Sequence, residues 1–445
     1  MKGVVSSESA VRAGFDCDVI VIGGGPAGST AASWLARAGR AVMLLERDVF
    51  PRFHIGESLL ASTNDVLRAI GADATIRSAH FPEKWGATLM SADGRIERFA
   101  DFSLARGVRT PQTWQVPRAT FDHLLLQHAA ASGADVRERH RVTDIAFQAD
   151  GITATVQRVE GGTAPFQVRA QAVIDASGRG SLLSRKFSLR VDEPRLANIA
   201  VFSHYSGVPR KEGRRAGDVR IVARPDLGWF WLIPISEALM SVGVVLPRAA
   251  ASNFREMEPS ELLDATIAET PAVARLLASA RREWPVRVEK DFSFASRAYA
   301  GDRWALAGDA GSFLDPVFST GVAIALESGL EAAQAVGEGL AAADLSARRF
   351  RVYARRQRQR YRSFRRFVLA FYTPEFRDLF FVEEPPRQIF ASVVTVFAGY
   401  WRPGPVTRGW IAAFFLLVRL QRWFRFAPRF VNQASGVHES TAAAR

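Results

Sequence analysis

Asp18-Val19-Ile20-Val21-Ile22-Gly23-Gly24-Gly25-Pro26-Ala27-Gly28 decides the fold of this chain. A β-branched run feeds a glycine-rich turn, and an alanine-rich helical pattern from Ser29 to Ala38 follows and stops at Gly39. A second apolar run, Ala41-Val42-Met43-Leu44-Leu45, ends in Glu46. Strand, helix and strand in this order form the βαβ unit of a dinucleotide-binding fingerprint. Gly23 permits the tight turn, Gly25 lets a pyrophosphate approach the backbone, and Gly28 lets the helix pack on the strand. The helix start offers free N–H groups and a positive dipole end to the phosphates. Glu46, about 20 residues beyond the first glycine, is placed to accept ribose hydroxyls. Ala27 and Arg47, beside these groups, complete the residues expected at the dinucleotide. No second fingerprint of this type appears, so a nicotinamide would have no Rossmann domain of its own.

The remaining composition bounds the reading. A chain of 445 residues with 48% apolar and 23% charged residues is an ordinary globular protein. Its single cysteine, Cys17, excludes an internal disulfide, and its seven scattered histidines predict no metal site. Residues 1–15 lack an apolar stretch of the secretory kind and read as a disordered lead. The expected location is cytoplasmic. Net charge is +13, and of 58 basic residues only five are lysines: Lys2, Lys84, Lys186, Lys211 and Lys290.

The fold class expected is α/β: a Rossmann-like domain, a β-sheet substrate domain and a C-terminal helical extension. The first is discontinuous, over 16–80, 103–190 and 290–340. Strand-like segments at 81–102 and 191–289 cover it, and 341–445 is basic, aromatic-rich and helical. Within that extension, Phe350, Tyr353, Tyr361, Phe364 and Phe371 recur at helical spacing with Gln357 and Val368, which predicts an amphipathic helix packed on the body. Ten arginines and no acid lie between Arg348 and Arg366. Like charges at that density call for an acidic partner. The candidates in order are an acidic carrier protein, an anionic membrane and, last, nucleic acid, for which no recognition motif is present. Further on, the nine apolar residues Trp410–Val418 are too few to span a bilayer. Arg419, Arg422, Trp423 and Arg425 then suggest peripheral contact at the inner face of the membrane; a helix closing the substrate pocket is the alternative.

Three further stretches resemble the flavoprotein fold shared by aromatic hydroxylases of the para-hydroxybenzoate type, geranylgeranyl reductases and flavin-dependent halogenases. Trp114-Gln115-Val116-Pro117-Arg118 looks like the family's helix start, where the resemblance puts Arg118 on the flavin of FAD. Val173-Ile174-Asp175-Ala176-Ser177-Gly178-Arg179 is a buried run ending in small residues. Trp304-Ala305-Leu306-Ala307-Gly308-Asp309 is another, and the family places its aspartate, here Asp309, on the ribityl chain; a helix N-cap is the other role open to it. Asp291, before that last strand, is placed near the flavin.

Two blocks resemble the pyrrole and phenol halogenases specifically: Phe50-Pro51-Arg52-Phe53-His54-Ile55-Gly56-Glu57-Ser58-Leu59-Leu60 and Phe313-Leu314-Asp315-Pro316-Val317-Phe318-Ser319-Thr320-Gly321. The resemblance implies Pro316 and Gly321 at the flavin and a halide held by backbone N–H groups of Ser319, Thr320 and Gly321. Successive N–H groups at a helix start do form an anion-binding concavity. In this family reduced FAD, supplied by a separate flavin reductase, reacts with O₂ to a C4a-hydroperoxide, and chloride or bromide attacks it to give hypohalous acid.

Gly228-Trp229-Phe230-Trp231-Leu232-Ile233-Pro234 puts two indoles on one face of a strand. The resemblance makes Trp229 and Trp231 a wall that keeps organic substrate from the flavin while a small oxidant passes. Lys84, in Glu83-Lys84-Trp85-Gly86-Ala87-Thr88, is then the acceptor of that oxidant. The implied reaction is halogenation of an electron-rich phenolic or pyrrolic ring, free or tethered to a carrier protein. The alternative is a flavin hydroxylase or dehydrogenase. Asp175-Ala176-Ser177-Gly178 lacks the Asp-Gly dipeptide with which typical aromatic hydroxylases surround pyridine nucleotide, which favours the halogenase.

Overall fold

The structure, a computed structural model, describes residues 13–162, 164–290, 293–382 and 384–430. The expected lead lies outside them up to residue 12, as does Asp291.

Cys17–Ile22 is buried at every position, as befits a strand covered on both faces. It pairs in parallel with Val42–Leu45 on one side and Phe166–Asp175 on the other. Asp135–Arg137 and Trp304–Leu306 extend this parallel sheet outward. Side chains alternate along the first strand. Val19 and Val21 face the Pro26–Arg37 helix, and Ile20 and Ile22 face the antiparallel strands His140–Phe147 and Ile152–Arg158. The Thr320–Ala341 helix crosses over Pro26–Arg37 so closely that a Cβ on Gly329 would lie 2.3 Å from the Ala27 carbonyl oxygen.

A second sheet runs Asn198–Ser206, Leu239–Pro247, Trp229–Pro234, Val219–Ala223, Gly86–Ser91 and Glu97–Asp101, antiparallel except between Val219–Ala223 and Gly86–Ser91. Phe230 and Leu232 point to one face, under the helices Pro259–Ala268 and Pro271–Leu277. Trp229, Trp231 and Ile233 point to the other, toward the Asp315–Ser319 turn and the C-terminal helices. Trp231 lies opposite Gly243, where a Cβ would come within 2.3 Å of the indole.

Four C-terminal helices, Arg351–Phe371, Pro374–Phe380, Arg387–Phe397 and Pro405–Phe424, close over that indole-bearing face. Aromatic rings carry the contact: Phe397 stacks on Phe318 at 4.3 Å, and Phe371 meets Trp229 edge-on at 6.5 Å. The arginine-rich helix Arg351–Phe371 buries Tyr353, Gln357, Tyr361, Phe364, Val368 and Phe371. Its charge is only partly unpartnered. Arg360 lies inside and bonds Glu327 at 3.0 Å and Glu331 at 2.9 Å, and Arg365 pairs with Glu193. The ten arginines therefore do not all call for an external anion, because acids distant in sequence answer some of them. The Trp410–Val418 run divides between faces: Ile411 and Phe414 are buried, Trp410 and Leu416 exposed. Among the described residues no helix is long and apolar enough to cross a membrane.

Replacing Gly243 by Ala inserts a methyl into the indole of Trp231 and forces ring or strand to move. Overpacking of this kind costs about 1–3 kcal/mol. Gly243→Ala is expected to lower the urea midpoint with an unchanged slope and to alter tryptophan fluorescence, whereas an unchanged midpoint and spectrum would mean that the ring has room.

Candidate active site

The glycine turn is built as the sequence implies. Gly23 has φ +98°, and a Cβ there would be 2.6 Å from the Ala176 carbonyl oxygen. A Cβ on Gly28 would be 1.8 Å from the Gly23 carbonyl oxygen, so the helix closes on the strand only without a side chain. Gly25 precedes the Pro26–Arg37 helix without a side-chain cap, which leaves the first N–H groups of that helix for a ligand. Glu46 is buried at the end of its strand; its carboxylate accepts the Gly24 N–H at 2.5 Å and the Asp48 N–H at 2.8 Å. Ala27 packs beneath Gly308.

Arg47 is the exception among these residues. Its side chain is 57% exposed and pairs with Asp48. Arg52 reaches the glycine turn as well, with a guanidinium nitrogen 3.5 Å from where a Gly25 Cβ would be and an ion pair to Asp122 at 3.3 Å.

Arg118 opens the Arg118–Ala131 helix and is buried, held by Asp122 through two bonds of 2.7 and 2.8 Å and by the Ile55 carbonyl at 2.8 Å. Asp309 sits in the 3-10 turn Gly308–Ala310 and caps no helix. Its carboxylate has no hydrogen-bond partner among the described residues. Burial pushes its pKa up to about 6 against the pull of Arg118 and Arg179. A half-buried carboxylate without a protein donor suits ligand hydroxyl groups. Together with the open helix start and buried Glu46, these acceptor and N–H groups fit FAD.

Asp315 begins the second half of the site. Its carboxylate accepts the Val317 N–H at 3.1 Å and shapes the turn Pro316–Phe318. Ser319 follows in the left-handed region with φ +56° and turns the chain into the Thr320–Ala341 helix, which has no side-chain cap. Thr320 is buried. The N–H groups of Thr320 and Gly321 thus stand at an open helix start.

Lys84 faces this turn. Ser319 and Lys84 line one narrow cavity of about 20 Å³, with Phe102, Phe318 and Phe397 among its other walls. A cavity of that size holds roughly one water-sized molecule. The Glu83–Lys84 strand pairs with Thr113–Trp114, and the amine is 1% exposed. Nζ donates to Ser58 Oγ at 2.8 Å and to the Leu59 carbonyl at 2.8 Å, and lies 5.2 Å from the Phe102 ring centre. Burial lowers its pKa to about 7, against a weaker opposite pull from Asp218. This is no solvated surface lysine.

Trp229 and Trp231 stand on the neighbouring strand, 6.0 Å apart, on the face that carries the cavity. They do not line the cavity themselves; Ile221, the cross-strand partner of Trp231, does. Trp229 Nε1 donates to the Tyr372 hydroxyl at 2.8 Å, which donates to Asp315 Oδ2 at 2.7 Å, and Asn198 donates to the same oxygen at 2.7 Å. Burial pushes Asp315 up to about 6. Trp231 Nε1 donates to Ser241 Oγ at 3.1 Å. Ser58, Phe102, Asp315, Tyr372 and Phe397 carry no role in the sequence reading. Only Ser58 and Asp315, inside the quoted motifs, had a signal that could have found them. Among the described residues no cluster of His, Cys, Asp and Glu is arranged to hold a metal.

The profile of a family described as FAD binding domain matches residues 16–357. The 1H-pyrrole-2-carbonyl-[peptidyl-carrier protein] chlorinase of Pseudomonas fluorescens is 33% identical over 83% of this chain and 86% of its own length. The solved structure of the flavin-dependent brominase Bmp2 superposes with a TM-score of 0.80 at 29% identity, over 91% of this chain and all of that one. A flavoprotein/dehydrogenase from Cytophaga hutchinsonii superposes with a TM-score of 0.84 at 30% identity, over 91% of this chain and 99% of that one. Sequence likeness over most of both chains, together with an FAD-type nucleotide lobe, shows that this chain belongs to the flavin-dependent halogenases.

Proposed function

We propose that this halogenase transfers chlorine or bromine to an electron-rich phenolic or pyrrolic ring tethered to a carrier protein, with Lys84 as the group that receives the oxidised halogen. The observation that carries the reading is the narrow, mostly apolar cavity lined by both Lys84 and the Ser319 turn. Bound FAD, reduced by a separate flavin reductase, supplies with O₂ the oxidising power that turns halide into hypohalous acid.

The chain's own residues do the rest. The N–H groups of Thr320 and Gly321 hold the halide by their partial charge; the Ser319 N–H, also expected there, is instead donated to the Pro316 carbonyl at 2.8 Å. Apart from Lys84 and Ser319 the walls of the cavity are apolar, and Lys84 supplies the amine among them. Trp229 and Trp231 fill the adjoining column of the sheet and keep an arene from the flavin.

Lys84 donates two hydrogens, to Ser58 Oγ and the Leu59 carbonyl, and keeps one further position. In the neutral amine that position is a lone pair, and in the ammonium it is a third N–H. Near neutral pH both forms are populated. The ammonium polarises hypohalous acid by a hydrogen bond. The neutral amine takes the halogen from it and releases water as the N–H proton joins the hydroxide. The ring then takes halogen from nitrogen and returns a proton to the amine, so the lysine is regenerated.

The carrier-tethered substrate is supported by the Pseudomonas fluorescens relative, whose name states a pyrrole bound to a peptidyl-carrier protein. The separate reductase is supported by the lack of a second dinucleotide fingerprint.

Two outcomes are expected. Mass spectrometry of reactions with a flavin reductase, bromide and a panel of carrier-bound and free arenes should show bromine on carrier-bound phenol or pyrrole. Lys84→Ala should cut product by a hundredfold or more while FAD affinity stays unchanged; normal halogenation by the variant would remove Lys84 from the mechanism. Separately, NMR of selectively labelled lysines should show the Lys84 amine titrating near 7, and a Lys84 amine still protonated well above that would contradict its burial. The unfolded chain keeps the Lys84 proton up to about 10.5 and the folded chain loses it above about 7. The native state therefore binds fewer protons across that window, and this lysine's contribution to stability rises with pH between those values.

A further inference from the structure

An open cleft of about 600 Å³ lies outside the site described above, between the arginine-rich helix, the Pro194–Leu196 turn and the Pro405–Phe424 helix. Arg362, Arg365, Arg366, Leu369, Ala370 and Thr373 line it, and their spacing of three and four places them along one face of the helix and its end. The lining is graded. Guanidinium groups, with Arg195 opposite, occupy one end; Leu369, Ala370 and Phe415 form an apolar stretch; Tyr372 and Thr373 stand at the other end.

The charge of the cleft is not balanced from within. Arg195 and Arg365 share one carboxylate, Glu193. Arg362 and Arg366 have no ion pair among the described residues. Arg366 lies flat over the Phe415 ring at 3.6 Å, and its partial burial lowers its pKa with no acid to oppose the effect. Four guanidinium groups against one carboxylate leave an excess of three positive charges beside an apolar floor. The far end is one hydrogen bond from the reaction centre, because the Tyr372 hydroxyl binds both Trp229 and the carboxylate that shapes the Ser319 turn.

We propose that this cleft is the docking site for the phosphodiester-bearing pantetheine arm of a carrier protein, with the phosphate between Arg362 and Arg366 and the thioester end directed to Tyr372. The proposal rests on the carrier-tethered reading given above and assigns it a place. Planar guanidinium groups match phosphate oxygens in pairs. An arm that is anionic at one end and carries a less polar acyl group at the other follows the gradient of the lining. The acidic surface of the carrier then meets the exposed arginines of the same helix, Arg355, Arg358 and Arg362.

The test compares the full-length FAD-loaded enzyme with its Arg362→Gln/Arg366→Gln double variant on three forms of one arene: holo-carrier thioester, phosphopantetheine thioester and dephosphorylated pantetheine thioester. Both charges are on the surface, so the variant is expected to fold and hold FAD as the parent does. KM should rise at least tenfold for the first two substrates and stay unchanged for the third, with kcat constant throughout. Equal effects on all three, or none, would overturn the proposal. If free arenes alone are halogenated, the carrier reading fails; titration of substrate-free holo-carrier then reads the cleft by itself. A tenfold weaker Kd in the variant supports the proposal, and an equal Kd overturns it, as does loss of anionic-vesicle or duplex-DNA binding with carrier affinity retained.

Discussion

An amine removed from water is the constraint on which the site depends. Charged ammonium groups resist burial strongly unless paired. Lys84 is buried with two neutral acceptors and no ion pair, and the chain tolerates it by letting the proton go near neutrality. Its position is fixed from several directions. Asp218 accepts the N–H groups of Trp85 and Gly86 at 2.8 and 2.9 Å. Gly217 presses on the Glu83 backbone so closely that a Cβ would be 2.0 Å from its carbonyl oxygen. The amine thus stands on a backbone with little freedom to turn it outward.

A second chain of contacts links the C-terminal helices to the Ser319 turn. Tyr372 ends the arginine-rich helix, binds Trp229, and shares the Asp315 carboxylate with Asn198. Arg377, on the next helix, donates to the Arg224 and Leu227 carbonyls, each at 2.7 Å, and ties that helix to the loop before the tryptophan strand. Phe397 stacks on Phe318 inside the same turn. The helical extension is therefore part of the reaction chamber as well as its cover.

The legible parts of this protein were those in which the chemistry is local. Strand, glycine turn, helix and terminal acid follow one another within 30 residues, and each needs a particular residue type for a steric reason visible in the fold. Lys84 stood out because the chain otherwise uses arginine. The walls of its cavity were not legible. Phe102 and Phe397 come together only through tertiary packing, and one phenylalanine among 31 carries no mark of it. Arg47, expected at the cofactor, is largely exposed, and nothing local in the sequence marked Arg52, which the bend after Glu46 brings to the glycine turn. The arginine run was read correctly as one face of a helix. Its partners Glu327, Glu331 and Glu193 lie on other elements, so the run alone overstated the free charge.

In the proposed reaction halide is oxidised on one side of the cavity, and Lys84 receives the product on the other. Trapping of hypohalous acid in solution during turnover of Lys84→Ala tests it most directly. The account requires the variant to release hypohalous acid at the rate at which the parent forms product, with the ring left unhalogenated. A variant that makes no hypohalous acid would place Lys84 upstream of halide oxidation and contradict the account.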